Sequence, residues 1–149
     1  MRIERRFTKK GQSPYAEIAF REATSELKNP DGKLIFQLEG FLVPEQWSQV
    51  AADILAQKYL RKAGVPALLK RVEENRVPSW LWRSAPHIQA LAGLSEAERY
   101  GPEKDARQVF DRMAGAWTYW GWKGGYFSTE EDAQAFHDEL CYMLAMQMA

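Results

Sequence analysis

Arg107–Ala149 reads RQVFDRMAGAW (107–117), TYWGWKGGYF (118–127) and STEEDAQAFHDELCYMLAMQMA (128–149), two amphipathic runs on either side of an aromatic block. Trp117, Tyr119, Trp120, Trp122, Tyr126 and Phe127 crowd this block, broken by Gly121, Gly124 and Gly125. Aromatic side chains bury large areas, and interleaved glycines allow close backbone approach or positive φ. The stretch predicts a rigid, packed corner between two helices, with Trp120 buried. The first helix runs from about Glu103 to Ala116, burying Val109, Phe110 and Met113 with Trp117. Ser128-Thr129-Glu130-Glu131 has capping-box spacing and starts the second, whose face continues through Ala133, Phe136, Leu140, Met143, Leu144 and Gln147. Its last turns, Leu140 to Met148, are apolar all round, and no glycine, cap or basic turn ends them.

Upstream, Ala16 to Glu22 and Lys33 to Glu39 alternate apolar and polar residues. Joined through Asn29-Pro30-Asp31-Gly32, they read as a β-hairpin. Val43-Pro44-Glu45-Gln46-Trp47 predicts a helix start with Pro44 at the first helical position. Trp47, Val50, Ala51, Ile54, Leu55 and Tyr59 then form its buried face, and Gly64 ends it. Residues 1–14 form a basic arm, expected to lie solvated or to contact phosphate. The segment 65–105 is irregular and carries Pro66, Pro78, Pro86 and Pro102. Within it a short helix is expected over Ala67 to Glu74, Trp80-Leu81-Trp82 reads as a plug whose indoles enter a core, and 88–100 reads as a loop or weak helix. The fold class is α+β, mostly α: an amino-terminal hairpin packed on about four helices, with the aromatic helix-turn-helix corner at the carboxy-terminal end. The expected organisation is one domain over 1–149, divided into 1–14, 15–40, 44–63, 65–105 and 106–149.

Several short motifs, in order, carry a family likeness. Phe110-Asp111-Arg112, Ala114-Gly115, Trp117-Thr118-Tyr119-Trp120-Gly121-Trp122, Gly125-Tyr126-Phe127, Glu131-Asp132-Ala133 and Asp138-Glu139-Leu140 are the densest. Arg5-Arg6-Phe7-Thr8, Asp31-Gly32, Val43-Pro44 with Trp47-Ser48-Gln49, Gln57-Lys58-Tyr59 to Val65-Pro66, and Val77-Pro78 with Trp80-Leu81-Trp82-Arg83-Ser84 support them. Together they resemble the amino-terminal segment of adenosylcobalamin-dependent, class II ribonucleotide reductases of the long bacterial type. The resemblance implies a parent enzyme that makes deoxyribonucleotides for DNA synthesis, with adenosylcobalamin as radical source and a thiol protein as reductant. It also implies that the catalytic barrel follows this segment. The sequence reads as cut just before that barrel, whose remainder would be the partner, in cis or as a separate chain.

Lys plus Arg (20) equals Asp plus Glu (20), so no global attraction to nucleic acid or anionic lipid is implied. No secretory signal and no run of roughly 20 apolar residues occurs, so a cytoplasmic location is expected. Ribonucleotide reduction in this family needs a radical cysteine and a redox pair of cysteines, and Cys141 is alone. The bland reading of Cys141 is a buried inert thiol. His137 and Cys141 share a helix face at i, i+4, but zinc wants three or four ligands and the other histidine, His87, lies far along the chain. Glu130, Glu131, Asp132, Asp138 and Glu139 suit the helix dipole and predict a solvated acidic face. No phosphate-loop or dinucleotide fingerprint is present. No catalytic, cofactor-binding or metal residue is therefore assigned. The packing or interaction candidates are Trp117, Tyr119, Trp120, Trp122, Leu140, Met143 and Leu144, and the final helix is a candidate for self-association. The alternative is a stand-alone nucleotide or single-strand binding module that stacks bases on the aromatic corner.

Overall fold

The computed structural model describes residues 1–148 and is α+β. Strand β1 (Phe20–Lys28) pairs antiparallel with β2 (Leu34–Pro44) around the expected turn. Gly32 sits at φ +80° and donates its N–H to the Asn29 carbonyl at 2.9 Å, while the Asn29 side chain accepts from Lys33 N at 2.8 Å. Both strands run further along the chain than their alternation predicts. The reason is a β-bulge: Ala23 pairs with Phe41 and Ser25 with Leu38, so Thr24 faces two residues, and Gly40 adopts φ +66°. The extra residue moves the inward set from Phe36 and Leu38 to Phe41 and Val43, both fully buried.

Pro44 therefore closes β2 and does not open a helix, which corrects the sequence reading. Helix α1 (Gln49–Ile54) starts later, capped by Ser48, whose hydroxyl accepts from Ala51 N at 3.2 Å. It passes into a π turn (Leu55–Tyr59), which Leu60 closes by donating to the Leu55 carbonyl. The expected buried face is only half right. Trp47 and Leu55 are buried with Ala52 and Ala56, whereas Val50, Ile54 and Tyr59 stand 67%, 50% and 53% exposed.

The segment 65–105 carries more regular structure than expected. Strand β3 (Val65–Pro66) pairs with β6 (Tyr100–Gly101), and β4 (Leu69–Arg71) pairs with β5 (Ser84–Pro86), where a helix was expected. Helices α2 (Ile88–Ala92) and α3 (Glu96–Arg99) lie between β5 and β6. At the 3-10 turn Ser79–Leu81 it is Leu81 that enters the interior. The two indoles stay partly exposed and make hydrogen bonds, Trp82 to the Val77 carbonyl and Trp80 to Glu130.

Helix α4 (Ala106–Lys123), capped by a box between Asp105 and Gln108, continues two turns past its expected end. The aromatic block is thus mostly helix, and the turn to α5 (Glu130–Ala145) spans residues 124–129. The turn folds back on Gly121 so closely that a β-carbon there would meet Phe127 Cε2 at 2.7 Å. The corner is not a buried plug, however. Trp120 is 64% exposed, and Trp117 and Tyr126 also face outward. Trp120 is thus not buried as its sequence context predicts, and Trp120→Ala would open no large cavity. Helix α5 starts within one residue of the expected place, but its cap is Thr129 and not Ser128, with Thr129 Oγ1 accepting from Asp132 N. It also has a cap that the sequence did not suggest. Gln147 takes φ +56°, Met148 N–H donates to the Met143 carbonyl at 2.8 Å and Gln147 N–H to that of Leu144. This is the Schellman pattern, made without glycine.

The core lies where hairpin, α1, α4 and α5 meet: Phe41, Val43, Trp47, Leu55, Leu60, Val109, Phe110, Ala114, Cys141 and Ala145. Trp47 and Phe110 pack at 5.7 Å between centroids, and the Trp47 indole N–H donates to the Ala145 carbonyl at 2.7 Å.

Candidate functional site

Between α1, α4 and the end of α5 runs an apolar groove of about 650 Å³. Trp47, Val50, Ala51, Ile54, Leu55 and Tyr59 line one wall; Val109, Phe110, Met113 and Trp117 line the other; Leu144 and Gln147 close one end. Ser48 and Gln147 are its polar lining residues, and no charged side chain lines it. It arises because α1 is apolar on two faces. Ala52, Leu55 and Ala56 turn to the core, which leaves Val50 and Ile54 on the opposite stripe.

The sequence candidates divide among different surroundings. Trp117 and Leu144 line the groove. Tyr119 and Trp122 instead hold the loop before the 3-10 turn: the Tyr119 hydroxyl donates to Glu74 at 2.7 Å, and the Trp122 indole donates to the Arg76 carbonyl at 2.8 Å. Lys123 completes that contact with an ion pair to Glu74 at 2.7 Å, and together Lys123 and Tyr119 hold the Glu74 carboxyl below its usual range. Trp120 points to solvent, while Leu140 packs on the core and Met143 is partly buried. Val50, Ile54 and Tyr59 belong to the groove although their spacing was read as core. The signal was present in the sequence, since Ala51, Ala52, Leu55 and Ala56 together with them make an apolar band too wide for one buried stripe.

A second feature is the basic arm, whose first eight residues dock on the fold while the side chains of Arg2 and Arg6 stay exposed. Residues 1–8 run along α5 as a strap. Ile3 N–H donates to Asp132 at 2.8 Å, and the N–H groups of Phe7 and Thr8 and the Thr8 hydroxyl all donate to Glu139. Arg5 bridges Glu131 at 3.0 Å and Asp138 at 2.7 Å. The Phe7 ring stacks on Tyr142 at 5.1 Å. The acidic face of α5, expected to be solvated, is the seat of this strap, so Asp132, Asp138 and Glu139 are buried. The Ile3 amide and the Thr129 hydroxyl hold the Asp132 carboxyl low, and Lys10 and Arg5 do the same for Glu131.

Cys141 is fully buried beside Tyr15 and Asp111. The Tyr15 hydroxyl donates to Asp111 at 2.7 Å, and the thiol lies 3.7 Å from the same carboxylate and 3.9 Å from His137 Nε2. Burial pushes the thiol and the Tyr15 phenol up, so neither offers an anion at neutral pH. His137 is held by Asp138 and by the edge of Trp80, and His87 caps α2. Among the described residues no group of three or more His, Cys, Asp or Glu is placed to hold a metal. None of the described helices is long and apolar enough to cross a membrane.

Residues 21–147 match the family model described as class II vitamin B12-dependent ribonucleotide reductase. The vitamin B12-dependent ribonucleotide reductase of Agrobacterium fabrum is 72% identical over 147 residues, which is 99% of this chain and 12% of that protein. The protein of the same description from Bradyrhizobium diazoefficiens is 68% identical over 148 residues, again 99% of this chain and 12% of its own length. One from Rhodopirellula baltica is 25% identical over 133 residues. The chain therefore spans 12% of the length of the first two relatives.

Proposed function

We infer the role of this chain from its family: it belongs to the class II vitamin B12-dependent ribonucleotide reductases, as an amino-terminal segment of the larger enzyme. Its proposed function is that of a single, non-catalytic docking domain that packs against the remainder of the reductase. The activity served is reduction of ribonucleotides to deoxyribonucleotides for DNA synthesis, carried out elsewhere in the enzyme with adenosylcobalamin. The observation that carries this reading is the family match over a chain whose one thiol, Cys141, is sealed in the core. A thiol without access or an anionic form supplies neither a radical at substrate nor reducing electrons.

The residues present do not fit adenosylcobalamin. The cofactor carries polar amides and a phosphate around its rim, and the groove offers few polar groups, Ser48 and Gln147 with the Tyr59 hydroxyl, in a mainly apolar, uncharged lining. Both histidines are engaged within the fold. A base-stacking platform draws support from the exposure of Trp117 and Trp120. Phosphates require cations, and here the groove is uncharged and Lys123 is paired with Glu74, which leaves Arg83, exposed near Glu74 and Tyr119, as the cation beside the corner.

The test is Cys141→Ser in the full-length reductase, alongside turnover assays of this chain alone. The expected result is an enzyme with unchanged kcat and an isolated chain that reduces no ribonucleotide. Loss of turnover in a variant that keeps its fold, or turnover by the isolated chain, would overturn the reading.

A further inference from the structure

The groove between α1, α4 and α5 is an apolar feature that the molecule's own packing leaves unused. Charged residues make up 27% of the chain, yet none lines the groove. Val50, Ile54 and Trp117 stand in it as apolar side chains in water, each losing transfer free energy that a cover would recover. A concave, uncharged surface of this kind selects an apolar ligand. It gives no purchase to phosphates, carboxylates or a basic peptide.

What covers it follows from where the polypeptide leaves. Gln147 lines the end of the groove, and its left-handed conformation turns the chain out of α5 at that point. Helix α5 is locked in this exit geometry by the bonds of Gln147 and Met148 to the last turn. In the relatives this region is 12% of the polypeptide, and as their amino-terminal segment it is followed by the rest of the enzyme. A segment tethered at the rim of a groove meets it at high effective concentration, so even weak apolar contacts suffice.

Resting on the family reading above, we propose that the groove seats an apolar segment of the reductase body, supplied in cis by the polypeptide that follows α5. Ile54, exposed on the groove wall, is the anchor position of this side.

The test compares hydroxyl-radical footprints of this chain alone and of the full-length reductase, read at Ile54, Tyr59 and Trp117. Their oxidation should fall in the full-length enzyme, and that of Tyr59 and Trp117 should return with Ile54→Glu, which places a charge where the segment would bury it. Because Ile54 is exposed, the same substitution should leave the melting temperature of the isolated chain unchanged. Added in trans to a reductase lacking this segment, the Ile54→Glu chain should bind at least about tenfold more weakly than the unsubstituted chain. Equal oxidation in both forms would overturn the proposal. So would protection that rises with concentration in the isolated chain, which would mean a second copy as occupant. Undiminished binding of the Ile54→Glu chain would reject the groove while leaving the docking role intact. Failure of both chains to bind would instead count against the docking role itself.

Discussion

Trp47→Ala is expected to destabilise the chain by about 3–5 kcal/mol, the cost of a large buried aromatic removed from a packed core. Trp47 links three elements. Its ring packs on Phe110 of α4, its indole donates to the Ala145 carbonyl at the end of α5, and its backbone carbonyl accepts from Arg21 of β1 at 2.7 Å. The substitution opens a cavity and leaves a buried carbonyl without its donor. A domain of this size has a total stability of order 5–15 kcal/mol, so the loss is a large share of it. The check is urea unfolding, with Trp120→Ala as control because Trp120 is mostly exposed. A Trp47 variant with a midpoint no lower than the Trp120 variant would contradict the packing described.

Glu139→Ala should cost about 2–3 kcal/mol at neutral pH, since charge-assisted bonds to two amides and a hydroxyl are lost and the strap can then detach into water. The effect depends on pH in a defined sense. Burial opposes the charged form of Glu139, but the hydroxyl and amide of Thr8 and the amide of Phe7 outweigh it, and the carboxyl is held below its usual range. The unfolded chain therefore takes up the proton first as pH falls. The stabilisation is fully present above the ordinary carboxylate pKa of about 4 and is lost as pH drops through the depressed value. Asp132 and Glu131 act in the same direction. Unfolding curves at pH 7 and pH 3 should show a large gap between parent and Glu139→Ala at pH 7 that narrows at pH 3. A gap independent of pH would mean that the strap is not held by carboxylates.

What the sequence made legible was local chemistry. Asn29 to Gly32 marked the turn, the Ser128–Glu131 stretch marked the start of α5 to within a residue, and the family motifs marked the chain's membership. The misreadings came from choices that local chemistry leaves degenerate. Pro44 suits a helix start and the last residue of a strand equally, and the pairing of β2 with β1 decided it. Gly40 looks like any loop glycine until Thr24 is set against it, and only then does the inward face pass to Phe41 and Val43. The acidic face of α5 satisfied the dipole argument, which gave no reason to look for a strap from residues more than a hundred positions away. The aromatic block carried the area to be buried but not the side it would turn to, so Tyr119 and Trp122 found partners in the 74–76 loop while Trp117 and Trp120 did not. The groove was half legible for a related reason: the apolar band of α1 is too wide for one buried stripe, but only the seating of Ala52, Leu55 and Ala56 decides that Val50 and Ile54 are the ones outside.

The most direct test of the docking role is assembly in trans. A reductase lacking the region matched by this chain is mixed with the purified chain and followed by sedimentation velocity. The account predicts a one-to-one complex that restores the footprint and stability of the uncut enzyme. Two species that sediment independently at every concentration, with a truncated reductase as stable as the whole, would contradict it.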